Sequence, residues 1–253
     1  MRRRSRRCAR RWRPLDSITA RLVFAVDAVA FDLDGTLLDT VHDLAAAVNL
    51  LLDSLHLAPL PVDTVRDFIG KGIEDLIGKS LTRARGVPPG EGEVIALLPL
   101  YLQGYASILG RQTRLFPGVS RGLERMRAAG FKLAVITNKT TRFVRPHLEH
   151  AGIAHYFEVV IGGNDATAKK PDAAPLHLAA ARLGVFPQHM LMVGDSVNDV
   201  GAARAAGSPV VVVPYGYNEG LPVQALAADG IVDSLEVVAD WLKHRSAPNL
   251  EPS

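Results

Sequence analysis

The segment VAFDLDGTLLDT (29–40) delivers two carboxylates, Asp32 and Asp34, straight after the apolar residues Val29, Ala30 and Phe31. In an extended chain, side chains two positions apart point the same way. Two like charges facing one space repel, and each loses hydration if the space closes. The pair therefore asks for counter-charge, and later segments bring suitable groups. Thr137 and Asn138 follow KLAVI, Gly162 to Asp165 follow EVVI, and Asp195 and Ser196 follow MLMVG. With three carboxylates converging, the donors are oxygens, which suits Mg²⁺ and argues against zinc. Asp199 stands four residues after Asp195, placed to cap the next helix, to hold a metal-bound water, or both.

These residues converge only if the elements around them bring the ends of several strands together. From residue 116 the chain alternates short units: helix 119–129 then strand KLAVITN, helix 141–151 then EVVIGG, helix 173–183 then MLMVGDS, helix 197–206 then PVVVVPYG. The helices end at Gly130, Gly152, Gly184 and Gly207, the residue that tolerates a left-handed helix end. The strands are continuous apolar runs, as expected where helices cover both faces of a parallel sheet. The fold class is α/β, a doubly wound, Rossmann-like parallel sheet. Its first strand is expected in LVFAVDAVAF, although Asp27 interrupts that run.

Between residues 41 and 112 no strand is expected. The stretch TVHDLAAAVNLLLDSLH has apolar residues at helical spacing, with Thr40 and Asp43 as a capping-box start. Further helices are expected from Asp63, over 73–84 and over 93–109. The domain reading is a basic tail at 1–22, an α/β core at 23–40 and 113–253, and an all-helical insert at 41–112 that caps the core.

The formal net charge of +3 comes from one place. The first thirteen residues hold eight arginines, and without them 21 basic residues face 26 acidic ones. The core thus gives no sign of a nucleic-acid partner, and the tail reads as a solvated, disordered charge run. A nucleic-acid or anionic-lipid tether is the alternative for that tail. No apolar run approaches the roughly 20 residues that span a bilayer. The single Cys8 excludes an internal disulfide, so a cytoplasmic setting is expected.

DLDGTL (32–37), ITNK (136–139), KKPDAAPL (169–176) and GDSVNDVGAARAAG (194–207) together resemble the four ordered motifs of the haloacid dehalogenase-like hydrolases. With the helical insert after the first motif, the combination most resembles the phosphoglycolate phosphatases within that superfamily. The resemblance implies a Mg²⁺-dependent phosphomonoesterase acting on a small phosphorylated metabolite. Asp32 would be the nucleophile, forming an aspartyl-phosphate, and Asp34 the general acid and base. Gly35 would bring its amide close to the phosphoryl oxygens, which Thr137 and the Asn138 backbone would hold. Lys170 would supply positive charge, with Lys169 its adjacent competitor. Mg²⁺ would be held by Asp32, Asp195 and the Asp34 backbone carbonyl. An acid at Asp34 favours a phosphatase over a dehalogenase, since a leaving alcohol needs a proton and a halide does not.

The insert must read the rest of the substrate, and VRDFIGKGI puts Arg66 and Lys71 beside two glycines as its cationic readers. Other phosphatase substrates, mutase-like chemistry and a phosphonatase with Lys71 as Schiff-base lysine remain open in the same fold. GIEDLIGKS imitates a phosphate-binding P-loop but has five residues between its glycines and no preceding strand. His147 and His150 are expected on a surface helix face. Oligomeric state is not legible.

Overall fold

The computed structural model describes residues 22–218 and 220–245. The expectation of a disordered basic tail therefore lies almost wholly outside the described residues. In chain order, β1 (Phe24–Val26), β2 (Ala28–Phe31) and β3 (Leu38–Asp39) lead into four helices, α1 (Val41–Ser54), α2 (Val62–Arg66), α3 (Ile73–Arg85) and α4 (Glu93–Ile108). β4 (Arg114–Leu115) returns the chain to the alternating region: α5 (Val119–Ala128), β5 (Lys132–Ile136), α6 (Thr141–His150), β6 (Val159–Ile161), α7 (Ala174–Leu183), β7 (Met190–Gly194), α8 (Val197–Ala206) and β8 (Val210–Val212). β9 (Gly230–Ile231), α9 (Leu235–Trp241) and β10 (Leu242–His244) complete it.

Six strands form one parallel sheet in the order β6-β5-β2-β7-β8-β9. Alternate strand residues face opposite sides, and both sides are covered, which is why the strands read as unbroken apolar runs. Val29, Phe31, Leu133, Val135, Leu191 and Val193 pack under α5, α6 and α9. Ala28, Ala30, Ala134, Ile136, Met190 and Met192 pack under α7 and α8. From β2 the chain goes on to β5 and β6 on one side, and from β7 to β8 and β9 on the other. That reversal opens a crevice between the carboxyl ends of β2 and β7, where ligands bind in such sheets.

α1 to α4 surround a further apolar cluster, including Leu44, Val48, Leu52, Leu76, Ile77, Tyr101 and Tyr105, which Phe143 of α6 and Tyr217 also enter. The two chain segments that connect these helices to the sheet run side by side, because β3 and β4 pair antiparallel through Leu38 with Leu115 and Asp39 with Arg114.

Two local expectations are corrected. LVFAVDAVAF is not one core strand: it breaks at Asp27, and β1 leaves the main sheet to pair with β10. Asp27 lies beside Arg245 at 3.3 Å and His189 at 3.8 Å, so its charge is met at the sheet's rim rather than inside it. Thr40 and Asp43 do not form a capping box. Thr40 sits at the N-cap of α1 without a side-chain cap bond, and its hydroxyl donates to Asp34 instead. The amides of Thr40 and Val41 donate to the Tyr217 hydroxyl at 2.9 and 3.1 Å, so a side chain from beyond β8 satisfies the start of α1.

Candidate active site

Asp32 leaves β2 with its amide bonded to the Val193 carbonyl, which sets it level with Asp195 at the end of β7. Oxygens of Asp32, Asp195 and Asp199 lie within 4.8 Å of one another, and all three residues are buried. Lys170 Nζ donates to Asp32 Oδ1 at 2.7 Å, to Asp199 Oδ1 at 2.6 Å and to the Ile136 carbonyl at 2.8 Å. Burial pulls the Lys170 pKa down, but Asp199 and Asp32 outweigh it and hold the ammonium above its ordinary range. Burial pushes Asp32 up to about 6 against the pull of Lys170, with Asp199 reinforcing the rise. Asp195 is raised well above a normal carboxylate by burial, then by Asp199 and Asp32. Three buried carboxylates thus share one contacting lysine among the described residues, an excess of negative charge that an oxygen-bound divalent cation would relieve.

Asp199 has a definite structural duty. Its Oδ2 accepts from the amides of Asp195 and Ser196 and from the Ser196 hydroxyl, closing a capping box at the start of α8. Asp195 Oδ1 accepts from the Thr36 hydroxyl at 3.0 Å, and Oδ2 accepts from the Tyr217 amide. The expected duty of Gly35 needs correction. Its amide donates to the Leu38 carbonyl at 2.9 Å and is spent in the turn. What matters is its missing side chain: a Cβ there would lie 2.2 Å from Asp195 Oδ2, and its φ of +95° disfavours any other residue.

Asp34 belongs to a second cluster, built around a residue the sequence reading quoted but did not single out. Lys139 Nζ donates to Asp34 Oδ1 at 3.1 Å and Oδ2 at 3.2 Å, and to the Tyr105 hydroxyl at 2.6 Å. The Thr40 hydroxyl donates to Asp34 Oδ1 at 2.8 Å. Burial alone would raise Asp34, but Lys139 and Thr40 hold it below the usual carboxylate range. The signal for Lys139 was its place in ITNK, directly after two residues already assigned to the site.

Asp32, Asp34, Thr137, Asn138 and Lys139 line one cleft with Tyr105 and, from the helical segment, Leu44, Ile69, Gly70, Gly72, Ile73 and Leu76. Its cavity volume is about 50 Å³. The Asn138 side chain works as a strut: Nδ2 donates to the carbonyls of Gly70 and Lys170, and Oδ1 accepts from the Lys170 amide. Lys169, the competitor to Lys170, instead pairs with Glu74 of α3 at 3.1 Å. Arg66 and Lys71 are not among the residues lining the cleft. Arg66 lies 3.9 Å from Asp63, with its guanidinium 6.0 Å from the centre of the Tyr217 ring, and Lys71 is exposed. The P-loop imitation is helical, with Lys79 and Ser80 inside α3.

The expectation of a surface His147 is wrong. The inner face of α6 carries Phe143, Val144, His147 and Leu148, and His147 is fully buried. The Thr113 hydroxyl donates to Asp43 Oδ2 at 2.7 Å and contacts His147 Nε2 at 3.0 Å, so the ring presents Nε2–H to Thr113. Asp43 Oδ1 also accepts from the Gln112 amide at 2.9 Å, so Asp43 and His147 clamp the segment after α4.

A parallel sheet whose crevice gathers three buried aspartates and a buried lysine is the arrangement expected of a haloacid dehalogenase-like hydrolase. The model of the haloacid dehalogenase-like hydrolase family matches residues 29–213, and the chain belongs to that family. It is 49% identical over 210 residues to the phosphoglycolate phosphatase of Nitrosospira multiformis, covering 83% of this chain and 92% of that one. It is 43% identical over 226 residues to that of Escherichia coli K12, covering 83% and 90%. Among solved structures, a predicted phosphoglycolate phosphatase from Haemophilus somnus superposes with a TM-score of 0.80 at 34% identity, covering 85% of this chain and 97% of that one. The chain is a phosphatase of this family.

Proposed function

We propose that this chain hydrolyses 2-phosphoglycolate to glycolate and phosphate, with Mg²⁺ and through an aspartyl-phosphate on Asp32. The observation that carries this reading is the division of the two β2-end aspartates between two lysines, Lys170 on Asp32 and Lys139 on Asp34. Both carboxylates line the cleft with a lysine of their own, which lets one serve attack and the other proton transfer. The names of the relatives support the choice of substrate.

In the first half-reaction a carboxylate oxygen of Asp32 bonds to phosphorus while the bond from phosphorus to the ester oxygen breaks, and Asp34 gives that oxygen its proton. In the second, water attacks the aspartyl-phosphate and Asp34 takes the water's proton. Asp34 is held ionised before substrate arrives, which is its base form, and the charge of an incoming phosphate raises its proton affinity. Bringing one anionic charge to 4 Å from another costs about 4 kcal/mol at an effective dielectric near 20. Left unrelieved, that cost alone slows the reaction by roughly 1,000-fold. Lys170 relieves part of it. Asp32, Asp195 and the Asp34 backbone carbonyl would hold Mg²⁺, with Asp199 directly or through water. The ion supplies the further positive charge that phosphoryl oxygens need.

α1 to α4 act as the cap, and Leu44, Ile73 and Leu76 from these helices, with Ile69 from the link between α2 and α3, narrow the cleft with apolar side chains. That favours a small substrate over a nucleotide. A Schiff-base role for Lys71 has no support from the cleft lining. Among the described residues, no helix is long and apolar enough to cross a membrane. With one cysteine in the chain, we place the reaction in the cytoplasm.

A panel of phosphomonoesters assayed with Mg²⁺ tests the reading. The highest kcat/KM is expected for 2-phosphoglycolate, and Asp32→Asn should lower kcat at least about 1,000-fold. A sugar phosphate or nucleotide at the top of the panel rejects the substrate. Near-normal turnover by Asp32→Asn rejects the mechanism.

A further inference from the structure

We propose that Lys139 forms the subsite for a carboxylate attached one carbon from the phosphate ester oxygen, and so sets the enzyme's preference for a two-carbon phospho acid. The inference rests on the 2-phosphoglycolate reading above and deepens it by naming the group that recognises the acid.

Arg66 and Lys71, the cations expected to meet a substrate carboxylate, do not line the cleft, and among the described residues Lys139 is the only cation that does. Its side chain is 2% exposed. An ammonium has three N–H groups. The near-equal contacts to the two Asp34 oxygens fit one of them shared between both, and Tyr105 takes a second. Those contacts use two, and the cleft that Lys139 lines can take the third. The Tyr105 hydroxyl, whose pKa burial and then Asp34 push far up, stays neutral and does not cancel the lysine's charge.

Reach decides which substrates can use that N–H. Asp34 must hydrogen-bond the ester oxygen to protonate it, and Lys139 holds the same carboxylate at 3.1 Å. The ammonium therefore stands within two hydrogen-bond lengths, about 6 Å, of the ester oxygen. In 2-phosphoglycolate the carboxyl carbon is two bonds from that oxygen, so its carboxylate projects into this gap and meets Lys139 in a charge-assisted bond. Leu44, Ile69, Ile73 and Leu76 give the gap low-dielectric walls, which strengthen the bond. A substrate ending in a methyl group occupies the same gap and leaves the donor unfilled.

The test compares 2-phosphoglycolate with ethyl phosphate, which lacks only the carboxylate's charge and oxygens, in wild type, Lys139→Met and Lys139→Gln. Wild type is expected to favour 2-phosphoglycolate by at least about 100-fold in kcat/KM, and both variants to lose at least about 10-fold of that preference, mainly through KM. Both rates fall in the variants because Asp34 loses its partner, so the ratio is the readout. Circular dichroism checks folding, and the smaller polar Gln decides if Met does not fold. If the variants slow both substrates equally and keep the preference, Lys139 acts only on Asp34 and the subsite is rejected while the phosphoglycolate reading stands. If wild type shows no preference, the substrate reading fails and takes the subsite with it.

Discussion

Gly35 has no side chain to contribute, yet the site's geometry depends on it more visibly than on several charged residues. A Cβ at Gly35 would meet Asp195 Oδ2 at 2.2 Å, and one at Gly216 would meet Asp195 Cβ at 2.2 Å, so both glycines leave Asp195 the room it occupies. Gly35→Ala should therefore displace the Asp195 carboxylate without removing any charged group. The expected outcome is a rise of about 10- to 100-fold in the Mg²⁺ concentration needed for half-maximal activity, the scale seen when a ligand's supports are removed. Titrating activity against Mg²⁺ measures it, and an unchanged midpoint would show that Asp195 is not a ligand. At this scale the sequence was informative where chemistry dictates residue type. Asp32, Asp195, Asp199 and Lys170 share one buried cluster, while Asp34 sits in a neighbouring one built on Lys139. Gly35 was chosen for the wrong reason, since the space it clears belongs to a side chain 160 positions away.

The elements show the same divide between local and distant causes. The helices of the alternating region were legible because apolar spacing and terminal glycines are local signals, and their limits agree with α5 to α8 to within a residue or so. β3 with β4 and β1 with β10 were not legible, because strands of two or three residues exist only through partners far along the chain. The start of α1 is the sharpest case. The sequence offers Thr40 and Asp43 as a local cap, but Thr40 serves Asp34, Asp43 serves Gln112 and Thr113, and Tyr217 does the capping. The same hydroxyl donates to Asp39 Oδ1, so one tyrosine from the sheet side fixes the segment that leads into the helical insert. Tyr217→Phe keeps the ring and leaves two buried amides and one carboxylate oxygen unpartnered. It should cost about 1–3 kcal/mol in urea unfolding. Because the Asp34-to-Thr40 bond is anchored through the same segment, kcat should fall as well. Unchanged stability would mean that water replaces the hydroxyl and that the tyrosine is no strut.

For the molecule as a whole, the buried His147 makes stability depend on pH in a direction that surface charge would not. Burial and then Lys139 lower its pKa to about 4, with His150 adding to the fall, while Asp34 and Asp43 oppose it. Nε2–H is used by Thr113, and Nδ1 is buried without a partner, so protonation would bury an unpaired N–H and a charge together. The unfolded chain, with an ordinary histidine near 6.5, takes up a proton before the folded one does. This contribution is therefore complete above about pH 6.5 and is lost as pH falls toward 4, to a total of about 3 kcal/mol. Asp32, raised to about 6, acts in the opposite direction over part of that range, because the folded state binds its proton first. Wild type alone would mix the two effects. His147→Gln can still donate to Thr113 but does not titrate, so the difference between wild type and variant isolates the histidine. Denaturant unfolding at steps from pH 7 to pH 4 should show the wild type losing about 2–3 kcal/mol relative to the variant. Parallel curves would show that His147 titrates normally and that the clamp of Asp43, Thr113 and His147 opens to water in solution.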